Sequence, residues 1–179
     1  LEMIVHGEDV STIESYLHDV VTDFREGAYD PERVAIPGGI GKKLTNYETP
    51  TAHVRGARYA NAVLGTNFQS GSKPKRLYLD RIDSGFFERF EAENPELFES
   101  NGLSREQRRR KDDYLSFKRD PDVVCFDYAD QIPDEFAVDW DKMLDKTLKG
   151  PIARVIEALD LTWDEVRSGQ QQTGLGSFV

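Results

Sequence analysis

The sequence predicts an α+β fold that is predominantly helical, and three observations carry this. Apolar residues recur at helical spacing at both ends of the chain, as Ile13, Leu17, Val20, Val21 and Phe24, and again from Trp140 to Leu159. Between them, Lys75 to Ile82 alternates as a strand does, and Asp122 to Tyr128 is again strand-like. No internal repeat is present.

In chain order, Ser11 and Glu14 form the S-x-x-E pattern of a capping box before the first helix, and Gly27 supplies its stop. Asp30-Pro31-Glu32 begins another turn. Arg33 to Ile36 reads as a short strand broken by Pro37-Gly38-Gly39. Thr51 to Leu64 predicts a helix whose small residues, Ala52, Ala57, Ala60 and Ala62, permit close backbone approach. On the strand at 75–82, Leu77 and Leu79 share one face, and Arg76, Tyr78 and Asp80 the other. The segment 83–121 changes character: Phe86, Phe87, Phe90, Leu97 and Phe98 are interleaved with Glu, and Arg105 to Lys111 is densely basic. It reads as an inserted helical segment. In the long helical pattern from Trp140, Pro151 predicts a kink or the start of a second half. Thr162 and Glu165 form a second capping box. The partition expected is therefore 1–82, 83–121, 122–169 and a tail, 170–179.

The 179 residues carry a formal charge of −10 and a pI of about 4.8, where a simple DNA-binding domain would be basic. The distribution qualifies this. From Gly41 to Arg81 eight bases face two acids, a local +6, which leaves −16 for the rest. A local positive field grips phosphate whatever the net charge. An acidic surface poor in Cys and Met also suits adaptation to high salt, where phosphate contacts weaken. Cys125 is the only cysteine, which rules out a disulfide framework and a Cys-based zinc site, and His6, His18 and His53 form no ligand pattern. No apolar run approaches membrane-spanning length and no signal peptide is present, so a cytoplasmic protein with no membrane partner is expected. Leu1-Glu2-Met3 reads as the middle of a helix, and a fragment of a longer protein is expected.

The glycine turn Gly38 to Thr45 invites a phosphate-loop reading, but only two residues separate Gly38 from Gly41, and Lys43 stands where Ser or Thr is required. A turn presenting two lysines is the better reading. Lys42, Lys43, Tyr47, His53, Arg55 and Arg58 form the candidate DNA-binding constellation. Arg55 and Arg58 are three apart on the predicted helix, and His53 lies near its N-terminus, where backbone N–H groups favour phosphate. Such a set suits contact with the sugar–phosphate backbone without base reading. The same residues also suit a solvated polar face, and Tyr47 ordinary packing. Arg105 and Arg108 to Lys111 are a secondary candidate, since Asp112 and Asp113 follow at once and local ion pairs account for them. Asp127, Asp130, Asp134, Glu135 and Asp139 form no two-metal pattern, and no catalytic or metal residue is assigned.

The tail supplies the sharpest short motif. Gln172, Leu175, Phe178 and Val179 follow the spacing of a clamp-binding peptide: glutamine, two residues, an aliphatic, two residues, an aromatic and a second apolar residue. Leu175 and Phe178 would form an apolar plug from one helical turn. A tail packed on its own domain is the alternative.

Taken in order, the opening helix, Asp30 to Val34, Ile40 to Tyr47 (IGKKLTNY), His53 with the basic helix, Trp140 to Leu159 and the tail QTGLGSFV resemble the C-terminal thumb region of archaeal family B DNA polymerases. The resemblance covers residues 1–82 and 122–179; 83–121 departs from it as a lineage insertion would, and Glu48 stands where relatives often have Lys. The acidic composition points to a haloarchaeal source or one of its viruses. The resemblance implies a polymerase thumb-like fold that wraps primer–template duplex DNA largely across the minor groove. Lys42, Tyr47, His53 and Arg58 stand at the family's basic, Tyr, His and basic thumb positions. It also implies docking to a ring-shaped, PCNA-like sliding clamp, and partnership with the palm, fingers and exonuclease domains of a parent replicative nucleotidyltransferase. The palm's D-T-D motif is absent here, so no cofactor is expected in this chain and Mg2+ is expected in the parent. The rival reading is a non-catalytic interaction module that binds the clamp or another partner without DNA; a stand-alone nucleotide-dependent enzyme built on the Gly38 turn is the less favoured rival.

Overall fold

The computed structural model describes residues 7–99 and 101–169 and is mixed α and β, with helices predominating. The tail carrying Gln172, Leu175, Phe178 and Val179 lies outside the described residues. The chain divides into two compact units, one made of 1–29 with 140–179 and one of 30–139. The boundaries expected at 82/83 and 121/122 both fall inside the second unit.

The first unit is helical among its described residues. Helix α1, Val10–Arg25, is capped by Asp9, whose carboxylate accepts the Thr12 amide at 2.9 Å. This corrects the expected cap: the helix begins two residues earlier, so Ser11 and Glu14 are already helical and the amides a Ser11 cap would take are bonded within the helix, Ile13 N–H to the Asp9 carbonyl at 3.1 Å. Ile13, Leu17, Val21 and Phe24 form its buried stripe. Gly27, at φ 73°, turns the chain after the helix, as a left-handed glycine does.

The long pattern from Trp140 resolves into two helices, Trp140–Thr147 (designated α7, with α2–α6 in the second unit) and α8, Lys149–Ala158. Pro151 sits in the first turn of α8, where its missing N–H is harmless. Trp140 meets Phe24 edge to face at 5.6 Å. The last described helix, α9 at Trp163–Ser168, is capped by Thr162 and Glu165 reciprocally, as the spacing predicts. His18 donates from Nδ1 to the Val166 carbonyl at 2.8 Å and so ties α1 to α9.

The second unit is built on an antiparallel sheet. Helix α2, Pro31–Val34, begins behind an Asp30 cap with proline at its first position, so helix replaces the strand expected over Arg33 to Ile36 and leaves only β1, Ile36–Pro37. Strand β2 occupies Lys75–Ile82, the residues its alternation predicts. It pairs with β1 and with β3, Val123–Phe126, through its first half, and with β4, Phe136–Val138, through its second. Helix α3, Ala52–Val63, is bounded by Thr51 and Leu64 as caps and lies on β3. Val54, Ala57 and Ala60 of α3 and all four residues of β3 are buried.

Residues 83–121 complete this core. Helices α4, Ser84–Glu93, α5, Glu96–Glu99, and α6, Arg105–Arg119, deliver the aromatic cluster. Phe90 stacks on Tyr114 at 4.5 Å, Phe86 meets Phe136 at 4.8 Å, and Phe117 meets Tyr59 of α3 at 5.2 Å. Tyr114 donates its hydroxyl to Glu91 at 2.8 Å, which burial of the ring would otherwise leave without a partner. No helix among the described residues is long and apolar enough to cross a membrane.

Candidate nucleic-acid interface

The glycine turn is held on both sides. Gly38 N–H donates to the Pro74 carbonyl at 3.1 Å, Ile40 N–H to Ser72 at 2.9 Å, and Gly71 N–H returns to Ile40 at 2.8 Å. Ile40 is 2% exposed and anchors the turn in the core. Gly38 is required for a local reason: a Cβ there would stand 2.8 Å from Nε2 of His53.

Beyond the anchor, a short 3₁₀ turn at Leu44–Asn46 follows, and Lys42 and Lys43 are exposed. Tyr47 braces the turn by accepting the Gly41 amide on its hydroxyl at 3.2 Å, and its ring lies 4.8 Å below the Lys42 ammonium. Arg58 reaches back from α3 and donates Nε to the Leu44 carbonyl at 3.1 Å and Nη2 to the Tyr47 carbonyl at 3.2 Å. It is a fork that closes the turn onto the helix.

The other expected contact residues have different places. His53 is 8% exposed. Its Nε2 donates to the Gly38 carbonyl at 2.7 Å, and the Cys125 thiol donates to the His53 carbonyl at 3.3 Å. Burial lowers the imidazole pKa most, with the Arg76 charge adding to the fall and the Gly38 bond opposing it. Burial likewise pushes the Cys125 thiol up to about 12, which makes it inert as a nucleophile. Arg55 is half-buried and forms an ion pair with Asp122. Of the six, Lys42, Lys43, Tyr47 and Arg58 gather at the turn, while Arg55 and His53 face the β3 side of α3.

The turn is also one margin of a cleft of about 550 Å³, and α6 is its opposite wall. Arg58 and Tyr47 line it from one side, and Arg105, Glu106, Arg109 and Asp113 from the other. Arg110 closes its floor, donating Nε to the Ala62 carbonyl at 3.0 Å, one of the carbonyls the end of α3 leaves without a helical partner. Burial raises the Asp113 pKa most; the nearby Arg58 and Arg109 charges pull it back down. The fold therefore joins the favoured constellation to the secondary Arg105–Lys111 cluster. Spacing of 47 residues between Arg58 and Arg105 hid this juxtaposition, although the density of arginine was visible.

Among the described residues, no group of three or more His, Cys, Asp or Glu side chains is placed to hold a metal ion. The sequence matches no family model, and no curated protein matches it.

Proposed function

We propose that this chain is the duplex-gripping thumb part of a family B DNA polymerase, a module that holds the primer–template backbone and docks a sliding clamp through Gln172, Leu175, Phe178 and Val179. The observation that carries this reading is the Lys42–Lys43 turn. Its backbone is fixed by Ile40, Tyr47 and Arg58, while both ammonium groups stand exposed. A turn whose backbone is already fixed needs little ordering on meeting phosphate, and point charges on such a turn contact a backbone without reading bases. Nucleotidyl transfer belongs to the absent palm and its Mg2+; this chain contributes position.

The test is fluorescence anisotropy of a labelled primer–template duplex with the full chain over a range of salt. Binding should weaken as salt rises, and Lys42→Ala/Lys43→Ala should flatten the log K against log salt line by about 1.8, two phosphate contacts at about 0.9 each. Absence of binding at low salt would overturn the DNA reading. Capture of a sliding clamp that depends on Gln172 to Val179 would then select the interaction-module reading, which the net charge of −10 favours.

A further inference from the structure

We infer that the cleft between the Leu44–Tyr47 turn and α6 is a second phosphate site, filled by the same nucleic-acid backbone that the lysine turn holds; this rests on the duplex-binding reading above.

The arginines of the cleft divide into two kinds. Arg58 and Arg110 spend their guanidinium groups on protein carbonyls, those of Leu44, Tyr47 and Ala62, and on Asn94 Oδ1. They shape the walls. Arg105 and Arg109 are exposed on the first turns of α6, and no described carboxylate lies within 4 Å of either guanidinium. They are four residues apart and so project from one face of the helix. Two guanidinium groups on one wall, facing Arg58 across a concave gap, suit the planar forked recognition of a phosphodiester oxygen pair.

Charge in the gap supports the same ligand. Arg58, Arg105, Arg109 and Arg110 face Glu106 and Asp113, a local excess of two positive charges in a chain of net −10. The margin is continuous with the lysine turn, since Leu44, Thr45 and Tyr47 line the cleft. A single backbone path can therefore touch Lys42, Lys43 and then α6. On this inference residues 83–121 contribute to binding as well as to the core.

The test compares Arg105→Ala/Arg109→Ala with Lys42→Ala/Lys43→Ala in the duplex titration, and adds Glu106→Gln. The arginine pair should flatten the salt line by about 1.8 beyond the lysine pair, and Glu106→Gln should tighten binding at low salt. The second result cannot come from misfolding. A lysine variant that weakens binding beside an arginine variant with the parent's slope, and no gain from Glu106→Gln, would overturn the cleft and leave the lysine turn standing. Loss of neither slope would overturn both. Calorimetry with inorganic pyrophosphate gives the remaining arm: binding that needs Arg105 and Arg109 while duplex binding does not would replace the backbone site with one for small anions.

Discussion

Nδ1 of His53 lies 3.1 Å from Nη1 of Arg76, while Nε2 of the same ring donates to the Gly38 carbonyl. A carbonyl can only accept, so the ring is the neutral Nε2–H tautomer and Nδ1 takes the arginine's proton. Protonation would place an N–H on Nδ1 against a guanidinium. The imidazole pKa is lowered in the folded state, chiefly by burial, with the Gly38 bond opposing the fall and the Arg76 charge adding to it.

The sign of the resulting pH dependence is fixed. The unfolded chain, with His53 at its ordinary 6.5, binds the proton more readily than the folded one. Above 6.5 the residue contributes nothing to the slope; as pH falls below 6.5 and through the lower folded value, stability is lost. Cys125 stays protonated throughout that window. We expect the thermal midpoint of the second unit to fall between pH 7.5 and pH 5, and His53→Gln, whose amide can donate to Gly38 and accept from Arg76, to flatten that fall. An unchanged slope in the variant would assign the effect to another group. Both tryptophans, Trp140 and Trp163, belong to the first unit, so near-ultraviolet circular dichroism of the tyrosines and phenylalanines is the appropriate signal.

Arg58 makes a different prediction from the lysines beside it. Its charged hydrogen bonds to the Leu44 and Tyr47 carbonyls hold the turn, so Arg58→Ala should destabilise the second unit by about 1.5–3 kcal/mol as well as weaken duplex binding. Arg58→Lys should not restore stability, because one ammonium cannot span both carbonyls as the fork does. Lys42→Ala/Lys43→Ala should leave the urea midpoint near the parent's, since both side chains are exposed. Equal destabilisation by the arginine and lysine variants would contradict this division of labour.

Where local chemistry decides the structure, the sequence was legible. Strand β2, the span of α3 and the Thr162–Glu165 box lie at the expected residues, because alternation, hydroxyl caps and helical spacing act over a few positions. The α1 start was misplaced because Asp9, two residues before Ser11, is an equally good cap that bonds the Thr12 amide and lets the helix start earlier. Arg33 to Ile36 was misread because apolar content outweighed the Asp30-Pro31 helix start. At the site, the exposed lysine turn was readable, but the employment of Arg55 and Arg58 was not. Their partners, Asp122 and the 44–47 carbonyls, are brought near only by packing.

The reciprocal cap of α9 is open to a clean measurement. Thr162 Oγ1 accepts the Glu165 amide at 3.2 Å, and Glu165 accepts the Thr162 amide at 2.6 Å. Thr162→Ala should cost about 1 kcal/mol, and Thr162→Ser should recover most of it. Trp163 is the first residue of α9, so tryptophan fluorescence in urea reads the loss directly. A serine variant no better than alanine would show that the threonine methyl, not the hydroxyl, matters there.

Gly56 offers the sharpest packing test. A Cβ at this position in α3 would stand 2.9 Å from the Cys125 sulfur, 3.1 Å from the Cys125 amide nitrogen and 3.2 Å from the Val124 carbonyl carbon. Two of these atoms are backbone of β3, the strand on which α3 lies, and β3 is held in register with β2. The strand cannot yield without disturbing its pairing. In an open helix Gly→Ala would stabilise by about 1 kcal/mol; here overpacking should reverse the sign, for a net loss of about 1–3 kcal/mol. Gly56→Ala/Cys125→Ala, which removes the nearest sulfur, should recover only part of the loss, because the backbone atoms at 3.1 and 3.2 Å remain. Hydrogen exchange at the Val123–Phe126 amides is the direct reading. Faster exchange there in Gly56→Ala, with the first unit's amides unchanged, is the expected result, and protection equal to the parent's would show that helix and strand are not in the close contact described.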